Sequence, residues 1–269
     1  MRLAAKCVSE YSHPNSRRDF TQRQLLACLV IRGGRGLTYR ATTELLRESP
    51  GLRGALGLSK VPHFTTLESF ANSPGVQALA DTLLHELLLA IGGGTTPQVD
   101  ELAVDSTGVS ATGASVYFEQ KRGKDSAFVK VSAVVICALT LPCAMTLSWG
   151  RSNDMTQGPE LVARAARSVR AGTLYADAGY DGERLHRLCR EELGIESWIP
   201  PVPKTKDGSI RTPWRSVMNP LPRTFGRRWK VESFFSALKR TTGSGLRARG
   251  TVNPLTEAAF RIVGYAIRR

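Results

Sequence analysis

The sequence is poor in the residues that build metal clusters and cross-links. Five cysteines and four histidines are scattered over 269 residues, and no Cys-x2-Cys pair occurs, which argues against a disulfide framework and against a structural zinc site. Cys137 and Cys143, on either side of Leu141-Pro142, are the one pair that a hairpin would bring near each other. Long apolar runs are missing too. Nowhere do about eighteen apolar residues follow one another, and the amino terminus has no apolar signal core, so a soluble, cytoplasmic protein is expected. Acids are the scarcer charge: 23 Asp and Glu stand against 37 Lys and Arg, a formal net charge of +14. That balance selects a polyanionic partner. It does not choose between a nucleic-acid enzyme, a ribosomal protein and a basic protein of membrane surfaces.

What is present divides into two kinds of pattern. Residues 1 to 18 are polar and read as a loose lead-in. From there the spacing predicts short helices. Thr21 caps a helix over Leu25, Leu26, Cys28 and Leu29 that Gly33-Gly34 would stop, and Thr38 caps Tyr39 to Arg47. Leu52 to Leu58, Thr66 to Ala71 and Val76 to Ile91 complete the series. Short helices joined by turns in a basic protein fit a helix-turn-helix module or a plain helical bundle equally well. His63 and His85 read as structural.

Gly92 to Pro97 marks a boundary, so residues 1 to 95 are expected to form a helical domain and residues 99 to 269 a second one. In the second, the pattern changes to strands: Leu102 to Thr107, Phe128 to Ala138 after a basic loop at Gln120 to Lys124, and Ala144 to Trp149 beyond a turn at Pro142. A helix from Gly158-Pro159 to Arg170, a short strand Thr173 to Ala176, a helix Gly182 to Leu193 and a strand Ile195 to Ile199 follow. Three strands in a meander and then alternating strand and helix give the order of an RNase H-like α/β sheet flanked by helices and preceded by an all-α domain. Residues 200 to 224 are basic and proline-rich, and are expected to form a loop over the partner.

Asp105 and Asp177 each end an apolar strand, where a charge is costly unless something compensates it. Divalent Mg²⁺ would do so, because it takes oxygen ligands and two or three carboxylates suffice to hold it against phosphate. Asp181 precedes Gly182 and reads as a helix cap, and Asp154 as a helix-entry residue.

Residues 225 to 240 read as one amphipathic helix. At about 100° per residue, Glu232 and Lys239 fall within about 40° and 20° of Arg228, and Phe225 within about 60°. Val231, Phe234, Phe235 and Leu238 form the adjoining buried arc, leaving Trp229, Lys230 and Arg240 on the outside. An Arg-x3-Glu pair alone is an ordinary i,i+4 contact.

The longer pattern, Phe225-x2-Arg228-x3-Glu232-x6-Lys239, resembles the Tyr-x2-Arg-x3-Glu-x6-Lys signature of bacterial and archaeal insertion-sequence DDE transposases, those of the insertion sequence four/five type, with Phe in place of the usual Tyr. Ala103-Val104-Asp105-Ser106-Thr107 and Tyr175-Ala176-Asp177-Ala178-Gly179-Tyr180-Asp181 resemble the first and second Asp motifs of the same family. Leu37-Thr38-Tyr39-Arg40, Leu56-Gly57-Leu58, Val61-Pro62 and Thr65-Thr66-Leu67 look like its amino-terminal region. The resemblance implies an enzyme that cleaves DNA at the ends of its element and transfers the freed strand into target DNA. Asp105, Asp177 and Glu232 would bind Mg²⁺ or Mn²⁺, as two ions. Arg228 and Lys239, with Phe225, Trp229, Lys230 and Arg240, would contact DNA. It further implies a helical module that recognises terminal repeats, a homodimer in the active complex and association with the nucleoid. Two alternatives remain: an inactive or repurposed relative acting as a sequence-specific DNA-binding protein, and an RNase H-type nuclease.

Overall fold

A computed structural model of the protein describes residues 1–15, 17–111, 128–150, 152–203 and 206–269. The basic loop expected at Gln120 to Lys124 lies outside the described residues.

The apolar, β-branched segments form a five-stranded sheet: β1 (Gln98–Ser110), β2 (Phe128–Ile136), β3 (Leu141–Trp149), β4 (Arg170–Ala176) and β5 (Glu196–Trp198), in the order β3-β2-β1-β4-β5. β1 pairs in parallel with β4, and β4 in parallel with β5. β2 and β3 are joined by residues 137–140 alone, too short a link for a parallel crossover, so this pair runs antiparallel. The sheet is therefore mixed, as the order of the segments predicts. Pro142 does not make the turn. It is the second residue of β3, where its fixed φ is tolerated, and the left-handed position of the turn falls on Thr140, φ 50. Helices flank the sheet: α7 (Asp154–Ser168) leads into β4, and α8 (Glu183–Arg187), extended by a π turn over Leu188–Glu192, leads into β5. A short helix, α9 (Pro213–Ser216), interrupts the basic, proline-rich segment expected as a loop at 200 to 224. Leu102, Ala103, Val104, Leu174 and Ala176 are fully buried in the two central strands.

Before the sheet come α1 (Arg2–Cys7), α2 (Gln22–Arg35), α3 (Tyr39–Glu48), α4 (Pro50–Leu56), α5 (Phe64–Asn72) and α6 (Ala78–Ile91). The predicted helices all form, and the lead-in carries one more, α1. Thr21 closes a capping box with Gln24, and the Thr38 side chain accepts from Ala41 N.

Gly33 and Gly34, read as a stop, lie inside α2, which ends one turn later at Gly36 in the left-handed conformation, φ 60. Their smallness serves a helix crossing. A Cβ on Gly33 would stand 2.3 Å from the Phe260 carbonyl oxygen, and one on Gly264 would stand 2.4 Å from Gly34 Cα. Both partners belong to α11 (Asn253–Arg268), whose inward face is buried from Asn253 to Ala266.

Two compact units result, and neither is one continuous piece of chain. The helical unit comprises Met1–Leu87, the described ends of Val109–Val129, and Leu238–Arg269; the sheet unit comprises Leu88–Gly108 and Lys130–Ala237. Within the helical unit Glu257 is 2% exposed and accepts from Arg32 Nη2 at 2.8 Å and Arg261 Nη2 at 2.6 Å, as well as from the backbone amides of Arg247 and Ala248. Among the described residues no helix is long and apolar enough to cross a membrane.

Candidate active site

The register of the sheet sets the first two carboxylates side by side. Val104 lies opposite Ala176 on parallel strands, so Asp105 and Asp177 are the next residues on chains about 4.8 Å apart. Asp177 follows the end of β4 as expected, but Asp105 does not end its strand: the residues after it continue β1 to Ser110. Asp105 Oδ1 accepts from Ser106 N at 2.7 Å, and its side chain is 20% exposed. Asp177 caps the 3₁₀ turn Ala178–Tyr180, accepting from Gly179 N at 2.8 Å. Glycine leaves room for this carboxylate: a Cβ on Gly179 would lie 2.9 Å from Asp177 Oδ1 and push the side chain aside.

Glu232 stands in the first turn of α10 (Trp229–Thr242). Residues 225 to 240 are not one helix. Arg223–Arg228 form a 3₁₀ segment behind Pro222, whose extended backbone starts it, and the α-helix begins only at Trp229. The flexible Gly226 disfavours a regular helix there, and the 100° wheel does not apply to Phe225 or Arg228. The wheel holds for the rest: Val231, Phe234, Phe235 and Leu238 are buried, and Trp229 is 53% exposed. Phe225 meets the Tyr175 ring edge-on at 6.1 Å between centroids, an arrangement favoured by the ring quadrupole.

Arg228 links the two parts. Its Nη2 is 2.7 Å from Glu232 Oε1 and its Nη1 is 3.8 Å from Asp105 Oδ2. These surroundings act on the Asp105 carboxyl in both directions. Burial first of all pushes its carboxyl up, to about 6; the Ser106 amide and Arg228 pull it down, and the charges of Asp177 and Glu232 push it up again. Asp105 thus feels both of the other acids.

Other polar groups converge here that the sequence pattern did not disclose. Lys130, on β2, is buried and lies 2.8 Å from Asp154 Oδ1 while donating to the Ser152 carbonyl. A lysine in the apolar run Phe128 to Ala138 was the available signal. Asp154 does open α7, as expected, but Asn153 is its cap and the Asp154 side chain serves Lys130. The Tyr180 hydroxyl is buried without a well-formed hydrogen bond. Burial, followed by the charges of Asp154, Asp105 and Asp177, pushes this phenol well above its usual range.

Asp181 is structural, though not as a helix cap: the α8 cap position is Gly182 and has no side-chain bond. Asp181 is 1% exposed and takes Arg215 Nε and Nη2 at 2.7 Å each and Val202 N at 2.7 Å. It thereby closes the neck of the segment between Val202 and Arg215.

The remaining residues singled out for DNA sit along α10. Lys230 lies over the Trp229 ring at 4.4 Å, Arg240 is exposed, and Lys239 is half-buried. The arrangement of Asp105, Asp177 and Glu232 offers oxygen donors alone, which suits a hard cation. Among the described residues, however, no three His, Cys, Asp or Glu side chains are gathered closely enough to ligate one ion. Glu232 is engaged by Arg228 and would have to leave it.

Comparison with curated proteins yields no match. The family described as the transposase DDE domain matches residues 97–261. The match spans well over half of the chain and includes Asp105, Asp177 and Glu232, and it shows that the chain belongs to the DDE transposase family.

Proposed function

We propose that the protein is a DDE transposase of the insertion sequence four/five type, cleaving DNA at the ends of its element and joining the freed 3′-hydroxyl to target DNA. The observation that supports this best is the pair of carboxylates on adjacent parallel strands, Asp105 within β1 and Asp177 just past the end of β4, with Asp105 incompletely neutralised by a single amide and a distant Arg228. An unbalanced anionic site of oxygen donors favours Mg²⁺ or Mn²⁺, with Asp105, Asp177 and Glu232 as the residues that would hold two ions. Bound there, such ions would activate an attacking oxygen and stabilise the leaving one.

The chain's own groups bind and orient. Arg228, paired with Glu232, offers a guanidinium to a phosphate oxygen, for which its planar fork is suited. Lys239 lies two turns further along the same continuous helix as Glu232 and would grip the backbone as a point charge. Trp229 and Lys230 give an exposed aromatic face beside a cation, a pairing suited to a base and its phosphate; Phe225 and Arg240 extend that edge. Residues 1 to 95 carry helices that would read the terminal repeats, and two copies would pair the two ends.

The test is cleavage, in Mg²⁺, of a plasmid carrying the repeats that flank the gene. Asp105→Asn, Asp177→Asn and Glu232→Gln are each expected to abolish cutting while leaving DNA binding nearly intact. Cutting retained by any one of them removes that residue from the site. Hydrolysis of an RNA–DNA hybrid by the wild type, with the plasmid left whole, would replace this reading with an RNase H-type nuclease.

A further inference from the structure

Glu101 lies on β1 four residues before Asp105 and so on the same face of the strand. Both of its carboxylate oxygens are engaged. Oε2 accepts from Arg227 Nη1 at 2.6 Å, and Oε1 accepts from the Tyr175 hydroxyl at 3.1 Å. The phenol has one hydrogen, and a carboxylate can only accept, so that hydrogen goes to Glu101. The phenol oxygen then receives the hydrogen of the Thr224 hydroxyl, 2.8 Å away. Tyr175 itself is 2% exposed and stands on β4 two residues before Asp177. Its ring is the one that meets Phe225.

Thr224, Phe225 and Arg227 are thus each fastened to one of the two strands that carry the aspartates, and the residue that follows them is Arg228. A surface ion pair would need none of this support. Arg227 is 57% exposed, but the Glu101 side chain is only 13% exposed, and a nearly buried carboxylate is costly unless its bonds are well made. Glu101 is also fixed from behind, since Cys137 N donates to its carbonyl at 3.0 Å.

We propose that Glu101 is a positioning residue, which through Arg227, Tyr175 and Thr224 holds the 3₁₀ turn so that Arg228 is presented to a DNA phosphate beside Asp105. This rests on the reading of Arg228 as a phosphate ligand given above.

The experiment is the affinity of the full-length protein for a linear random-sequence DNA duplex in EDTA, measured across a salt series. Positioning and simple charge pairing forecast opposite signs. Glu101→Gln uncovers Arg227 and adds one positive charge, so if Glu101 merely neutralises Arg227, affinity and salt slope both rise. If Glu101 positions Arg228, affinity falls several-fold and the slope drops by about one unit, as it does for Arg228→Ala. The double variant then loses no more than either single one, because both act through one contact. Losses that multiply, or an unchanged or tighter Glu101→Gln, overturn the proposal. Should Glu101→Gln fail to fold, Tyr175→Phe removes one hydroxyl alone and is expected to lower affinity and slope in the same sense. Wild-type binding there overturns the proposal equally. A wild-type protein that binds no duplex at all brings down the functional reading itself, a distinguishable result.

Discussion

Two carboxylates, one in each compact unit, show what this chain does with a buried negative charge. Glu257 in the helical unit faces Arg32 and Arg261 and two backbone N–H groups, those of Arg247 and Ala248. Burial alone would raise its carboxyl, but the two guanidiniums hold it below the ordinary range. Asp105 in the sheet unit has one amide and an arginine at 3.8 Å, with two acids nearby, and its carboxyl is pushed up to about 6. The first charge is fully answered from within the fold. The second is left short of positive charge, which is the condition of a group waiting for a ligand.

The largest effect expected from disturbing this contrast is at Glu257. Glu257→Ala leaves two buried guanidiniums facing each other and should cost about 3–5 kcal/mol of stability, read from chemical denaturation. A loss below about 1 kcal/mol would mean that the triad is no better compensated than Asp105.

Acid should reveal a second contrast, this one within the sheet unit, between Asp105 and His186. His186 is buried, its Nδ1 paired with Ser197 Oγ at 2.8 Å, and burial first of all holds its pKa down to about 4. The unfolded chain therefore binds the additional proton between about pH 6.5 and 4, and stability falls as pH falls through that window, by about 3 kcal/mol. Asp105 has the opposite sign: its folded pKa lies above the unfolded one, so between about pH 4 and 6 the native state binds the proton and stability falls as pH rises. The two slopes partly cancel in the wild type. Thermal melts of His186→Asn should show stability improving toward pH 4, and those of Asp105→Asn should show a steeper acid loss. Parallel pH profiles for the two variants would contradict this account.

At neutral pH, Asp105→Asn should stabilise the metal-free protein by about 1–2 kcal/mol, since it removes a charge that is poorly compensated. Added Mg²⁺ should raise the melting temperature of the wild type and not of the variant. Equal shifts in both would place the metal elsewhere. The smallest effect on folding belongs to Lys239→Ala, within about 0.5 kcal/mol, whereas the salt slope of DNA binding should drop by about one unit. Lost stability with an unaltered slope would make Lys239 structural.

Much of the sheet unit was legible because its signals are local. An apolar run followed by a carboxylate singles out Asp105 and Asp177 within a few residues, although only Asp177 follows the end of its strand, and the spacing of Val231, Phe234, Phe235 and Leu238 marks the buried face of α10. The amino-terminal helices declare themselves through Thr21 and Thr38. What stayed hidden joins residues far apart in the chain. Glu101 reaches Arg227, Lys130 reaches Asp154, and Asp181 reaches Arg215; nothing within a short window predicts any of these pairings. Local signals also misled where one residue type serves two purposes. Gly33 and Gly34 look like a stop and are in fact a contact, and Pro222 with Gly226 breaks a helix that periodicity alone would continue.

The glycine crossing bears on the order in which the protein can assemble. Gly34 and Gly264 touch across more than two hundred residues of sequence, as do Arg32 and Glu257. Closing so long a loop carries a large entropy cost before any contact rewards it, and chains dominated by such contacts fold slowly. The helical unit therefore cannot complete its core as its first helices emerge. Arg32, Gly33 and Gly34 have to wait for α11, and a fragment ending near residue 95 would expose that face of α2 and invite aggregation. The helical unit can therefore be completed only after the carboxylate-bearing sheet has been synthesised, so the two units would mature together in a single molecule.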